Sequence, residues 1–297
     1  MRYIFLLLSA LSFSCEVNSP SEFYTQLDPL EKIEGKPEYL NTPFLSAGNK
    51  LYVVGHQNGS FPELGWHFQG EMGGVWLHPI KLLDGYHVEI RKNKQKLCLT
   101  NAEKFFNYPI GSEQVFELDK MGLRVSQFHF VPENENGMII AYQIENKLQE
   151  ENKFQFIVNA SIDLMPVWLS DSLNIEDGQD EGEWKKRGAL YVAKDNKNNW
   201  FTTLGGKGFK PSDSDNSCKL KRRGQGFEQA LTKTINLKAK EKQTIYFVVS
   251  GSSESEKSAI KTHQYLSKSV EQLLQSKIES YLKIQENNNL ITRDEGF

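Results

Sequence analysis

Residues 153–164, KFQFIVNASIDL, carry Phe154, Phe156, Val158, Ala160 and Ile162 at every second position. A strand has a side-chain period of two and a helix one of 3.6, so five apolar residues in this spacing share one face only if the chain is extended. The same alternation runs through residues 123–131 and stops at Pro132. It returns at Ile140, Tyr142 and Ile144, and again over residues 227–237. Residues 51–54, 114–118, 189–193 and 200–204 are shorter β-prone runs, and residues 244–249 are apolar after Thr244. One wet and one buried face per strand is the mark of antiparallel sheets. Residues 146–152 are short and polar, which makes the flanking strands a hairpin. Many short strands at close spacing point to a mainly β protein built as a large antiparallel β-sandwich.

The period changes once. From about residue 253 to 285, Ile260, Leu266, Val270, Leu273, Leu274, Ile278, Tyr281 and Leu282 fall at mostly helical spacing between Glu and Lys, and Asn287 to Asn289 end the run. An amphipathic C-terminal helix follows, with its start near Ser252, Ser253 and Glu256.

The first residues read as an export signal. Arg2 is followed by an apolar run from Ile4 to Leu11, then by small residues and Cys15. A cysteine directly after such a run is similar to the lipobox of bacterial lipoproteins, although Ser12 stands where leucine is usual. Residues 1–15 are thus expected to be a lipoprotein-type signal with Cys15 as the lipidation site, and plain secretion is the alternative. Membrane contact is expected only through that anchor. The protein would then be periplasmic or at the cell surface. Residues 16–38 are polar, with Pro20, Pro29 and Gly35, and read as a tether or edge segment. Residues 39–252 are the sandwich, 253–286 the helix and 287–297 a truncated tail. Cys98 and Cys218 are left after Cys15; they would be free to pair in an exported chain, and cysteine-cluster zinc is excluded by their number.

A net charge of −3, from 38 acidic and 35 basic residues, gives no reason to expect a nucleic-acid partner, which would favour a basic face. No GxSxG, P-loop or dinucleotide fingerprint is present, and no cofactor is expected. The chemically dense stretch is residues 51–86, with three of the six histidines and two of the five tryptophans. Flat rings stack on sugar C–H faces while planar polar groups take the hydroxyls, so Trp66, His67, Glu71, Trp76, His78 and Asp84 are the residues to watch for an oligosaccharide. Trp76, within GGVWL, suits core burial better than Trp66 does. His56, His67 and His78 recur every eleven residues without an HxH or HExxH unit, which is a poor metal pattern. Glycoside hydrolysis needs two facing carboxyls, and Glu71 with Asp84, or Asp163 with Asp171 or Asp177, are possible pairs that no spacing singles out.

Two runs carry a resemblance. GHQNGSFPELGWHFQGEMGGVWLHPIKLLDGY (55–86) and GMIIAYQIENKLQEENKFQFIVNASIDLMPVW (137–168) resemble the N-terminal domain of bacterial glycogen-debranching-type, amylo-α-1,6-glucosidase-like glycoside hydrolases. The resemblance implies a super-sandwich, then a linker helix, then an (α/α)6 barrel that holds the catalytic acids. No position of this sequence matches those acids, so no catalytic residue is carried over. The implied role is a non-catalytic sandwich acting on α-glucans with a barrel supplied in cis or in trans. The alternative is a stand-alone, lipid-tethered carbohydrate-binding module.

Overall fold

A computed structural model describes residues 22–65, 71–167, 170–213, 218 and 224–287. Its strands in chain order are β1 (Ile33–Glu34), β2 (Pro43–Ala47), β3 (Leu51–His56), β4 (Gly74–Leu77), β5 (Ile80–Lys92), β6 (Gln95–Cys98), β7 (Lys104–Tyr108), β8 (Gly111–Leu118) and β9 (Leu123–Phe130). They continue as β10 (Gly137–Asn146), β11 (Asn152–Ile162), β12 (Asp180–Lys185), β13 (Leu190–Asp195), β14 (Phe201–Gly205), β15 (Lys210–Ser212), β16 (Phe227–Leu237) and β17 (Lys242–Ser252). The helices are α1 (Glu22–Thr25), α2 (Ser170–Leu173), α3 (Glu256–Lys268) and α4 (Val270–Asn287).

Two antiparallel sheets face each other. The first runs β1-β7-β8-β9-β10-β17-β14-β13-β12, and the second β15-β16-β11-β5-β4-β3-β2 with β6 added beside β5. The mainly β sandwich with a helical C-terminus is therefore what the alternation predicted. Phe154, Phe156, Val158, Ala160 and Ile162 all point into the core between the sheets, where they meet Ile140, Tyr142, Phe247 and Val249. Phe156 lies edge-on to Tyr142 with ring centroids 4.9 Å apart. The hairpin expected across residues 146–152 takes a different form: β10 and β11 lie in opposite sheets, paired with β9 and β17 on one side and with β5 and β16 on the other. Both strands hide an apolar face, and facing each other across the core serves that as well as pairing would.

Met138, Ile139, Ile140, Ala141 and Tyr142 are all buried, because the first sheet is covered on both faces. Its outer face, through Phe128, Phe130, Ile139, Ala141 and Val248, packs under Leu266, Val270, Leu274 and Ile278 of the C-terminal helices. The tail is two helices where periodicity predicted one. Ser255 caps α3, its hydroxyl accepting from the Ser258 amide at 3.2 Å, and the chain breaks at Ser269 (φ −121°, ψ 24°). The short break keeps Leu266 and Val270 on the same outer surface of the sheet.

The segment read as a polar tether is packed over its described part. Phe23, Leu27 and Leu30 are buried beneath the helices, and the Tyr24 hydroxyl donates to the carbonyls of Ser126 and Ala141 at 3.0 and 3.1 Å. Average polarity concealed three anchors at helical spacing. The same segment also supplies β1, an edge strand paired with β7, so strand order begins well before residue 51.

Lys277 fastens α4 to the sandwich. Its ammonium donates to the carbonyls of Ala47 (2.8 Å) and Val131 (2.7 Å) and pairs with Glu133 at 3.0 Å. Desolvation lowers its pKa, and Glu133 opposes that. Lys277→Met keeps the buried stem but strands two carbonyls. Denaturant titration is expected to show a loss of about 1–3 kcal/mol, and an unchanged midpoint would remove the fastening role.

Candidate functional site

The outer face of β2, β3 and β4, at one end of the second sheet, forms a groove of about 680 Å³. Period-2 alternation builds it. Leu51 and Val53 point inward, so Tyr52 and Val54 point out; Phe44 and Ser46 point inward, so Pro43, Leu45 and Ala47 point out. Register then aligns them, with Leu45 opposite Val54 and Tyr52 opposite Trp76. Met72, Glu71, His78 and Val167 complete the lining.

The rings are ordered around Trp76. Its indole donates to the Gly73 carbonyl at 3.1 Å, and His78 stacks on it with centroids 5.7 Å apart and planes 19° apart. His78 Nε2 lies 3.1 Å from the Tyr52 hydroxyl. The Lys81 ammonium sits 5.5 Å from the centre of the Trp76 ring. Trp76 is only 2% exposed, whereas Leu45 and Met72 are 59% and 42% exposed. Trp76 is buried, as its GGVWL context predicted, but on the outer face of the sheet and not between the sheets. There it forms the floor of the groove, and aliphatic and thioether side chains form the rim.

Of the residues singled out from the sequence, Glu71, Trp76 and His78 meet in this groove. Trp66 and His67 lie outside the described residues, as does Cys15. Asp84 is not in the groove: it is buried behind it, with its carboxylate 2.7 Å from Lys81 Nζ. Glu71 and Asp84 therefore do not face each other across an open cleft. Among the described residues, no three His, Cys, Asp or Glu side chains converge as a metal-binding set. His56 is half-buried, and burial lowers its pKa.

Sequence reasoning named Asp84, Asp163 and Asp177 without seeing that they converge. Asp163 is pushed up to about 8, first by burial and then by Asp84, with Lys81 opposing. Asp180 rises to about 7 by burial, although the Leu164 amide donates to it at 2.7 Å. Asp177 rises to about 6 by burial and by Asp195. A carboxyl that is still protonated near neutral pH is a general-acid signature. Asp163, however, is 1% exposed, so a substrate has no access to it. Leu45 and Met72 were missed as well. The β2 alternation would have found Leu45; Met72 has no periodic signal.

Comparison with known proteins speaks to the fold. The chain shares a fold with part of a bacterial glucoamylase. That structure, complexed with acarbose, aligns with a TM-score of 0.51 at 13% identity over 84% of this chain and 38% of the glucoamylase chain. A protein provisionally named as a kojibiose phosphorylase from the human microbiome aligns at 0.48 and 10% identity, over 84% of this chain and 37% of that one. A provisionally named aldose 1-epimerase of Escherichia coli K12 aligns at 0.44 and 9% identity, over 71% of this chain and 99% of that one. This chain spans a little over a third of the glucoamylase and phosphorylase chains. No family model and no curated protein matches it.

Proposed function

We propose that this chain is the non-catalytic β-sandwich of a glycogen-debranching-type glycoside hydrolase acting on α-glucans. Through the groove beside Trp76 it packs against an (α/α)6 barrel, supplied in cis or in trans, and borders that barrel's sugar path. The observation that carries this reading is the groove's rim. Pro43, Leu45, Ala47, Val54, Met72 and Val167 are apolar, and Tyr52, His78 and Glu71 are the polar side chains among the described lining residues. Sugar hydroxyls need more hydrogen-bonding partners than that, whereas an apolar, partly exposed rim around a buried ring is what a packing partner covers. The fold shared with a glucoamylase crystallised with acarbose supports the carbohydrate context. The Cys98–Cys218 disulfide supports an exported chain, since such bonds persist in oxidising compartments. Anchoring at Cys15 belongs to the same reading; among the described residues no helix is long and apolar enough to cross a membrane.

The purified chain is expected to leave α-1,4- and α-1,6-glucans intact. It is also expected to bind an apolar dye and to self-associate with rising concentration in light scattering. The double variant Leu45→Lys, Met72→Lys should lose most of both. Sustained glucan hydrolysis would remove the non-catalytic role, and a wild type that stays monomeric and dye-free would remove the docking role. Calorimetric heat with millimolar maltooligosaccharides, retained in the double variant, would favour the carbohydrate-binding module instead.

A further inference from the structure

Residues 163–167 run alongside the first residues of β5 and supply one wall of the groove through Val167. Three backbone hydrogen bonds hold them there: Asp163 N–H to the Leu82 carbonyl (3.4 Å), Lys81 N–H to the Met165 carbonyl (2.8 Å) and Val167 N–H to the Pro79 carbonyl (3.2 Å). A fourth bond ties this piece to residues 177–180, since the Leu164 amide donates to Asp180 Oδ2. Asp180 in turn donates its own amide to the Gln225 carbonyl at 3.2 Å. The fastening thus consists of three backbone hydrogen bonds to residues 79–82 and one to the buried Asp180 carboxyl, with the Asp163 carboxyl buried at the start of the segment.

Those carboxyls are poorly served as anions. Asp163 Oδ2 and Asp180 Oδ1 have no hydrogen-bond partner among the described residues, and the two residues are 1% and 6% exposed. Gly224 packs directly on the Asp163 carboxyl: a Cβ placed there would lie 2.6 Å from Asp163 Oδ1. Among the described residues, the charged groups that face the pair are Lys81 and Asp84 from β5, Asp177 from the same connection and Asp195 from β13. Lys197 faces Asp177 at the far end. Asp195 is already committed to the amides of Gly178, Lys197 and Asn198. Two cations therefore stand against five carboxyls among the described residues.

We propose that residues 163–167 are fastened by protonated Asp163 and Asp180, and that ionisation of this pair releases them from β5 and removes the Val167 wall of the groove. A buried acid whose folded pKa lies above its unfolded value stabilises the closed state fully below the unfolded pKa, near 4. That stabilisation is lost as pH rises through the folded pKa. With Asp180 near 7 and Asp163 near 8, the loss begins at about pH 4 and is complete a little above about pH 8, so its upper part lies between about pH 6 and 8.5. The hydrogen bond from Leu164 favours the Asp180 anion and so works against release, but burial outweighs it. The device is independent of what fills the groove.

Amide hydrogen exchange of the wild-type chain tests it, with each rate divided by its intrinsic value at that pH. Protection of the Lys81, Leu164 and Val167 amides is expected to fall at least tenfold between pH 6 and 8.5, while amides of Ile140 and Ala141 in β10 keep theirs. Asp163→Asn with Asp180→Asn should flatten the profile. The wild-type profile decides by itself if that variant does not fold. Unchanged protection at the three amides overturns the proposal, as does an equal fall in β10 or the same fall in the double variant.

Discussion

Gly74→Ala is expected to unfold the groove, with a loss of about 4 kcal/mol or more in chemical denaturation. Gly74 has φ +97°, where an L side chain is strained by roughly 1–3 kcal/mol. A Cβ there would sit 2.1 Å from the Leu83 carbonyl oxygen and 3.0 Å from the Asp84 carbonyl, and both are backbone. Neither can step aside, because β4 pairs with β5 across a register shift at Val75 and Trp76. Next to the shift, the Trp76 indole donates to the Gly73 carbonyl at 3.1 Å. Gly188→Ala is the control. Its φ is +107°, yet the nearest atom to the added Cβ is 3.3 Å away on a side chain, so strain alone operates. That variant should lose about 1–2 kcal/mol. Equal losses at the two positions would show that the crowding at Gly74 relaxes.

Reduction of the Cys98–Cys218 disulfide is expected to lower stability by about 3–5 kcal/mol, or the melting temperature by on the order of 10 °C. The bond closes a loop of 120 residues in sequence. A cross-link of that span restricts the unfolded chain far more than the folded one, whose ends at β6 and residue 218 are already brought together. Cys98→Ala with Cys218→Ala should reproduce the loss without reductant. Thiol titration of the unreduced, unfolded chain should find neither cysteine free. A melting temperature insensitive to reductant would mean that the sandwich does not need the staple.

The strands were legible because their signal is local. Phe154 to Ile162 alternate over nine residues, and no tertiary context is needed to read a two-residue period. Strand pairing was not legible: the same alternation suits β10 and β11 as a hairpin or as facing members of two sheets. Loop length alone does not choose between these. The packed N-terminal segment escaped notice for a related reason. Phe23, Leu27 and Leu30 are three residues in a polar run, and they matter only because the outer face of the first sheet needs cover. Lys277 reads as one lysine among many on an amphipathic helix, and nothing near it in sequence announces Ala47, 230 residues away.

Taken alone, the sequence determined the fold class, the change from strand to helix near residue 253 and the chemical richness of residues 51–86. Those properties follow from backbone geometry and composition, which act over a few residues at a time. Tertiary structure decided which of those side chains meet. It gathered Glu71, Trp76 and His78 into one apolar-rimmed groove and set Asp84 behind it with Lys81. It also brought Asp84, Asp163, Asp177, Asp180 and Asp195 together from separate elements. Register and sheet order set such encounters, and both are fixed by burying apolar faces across the whole chain, a condition that no local stretch of sequence expresses.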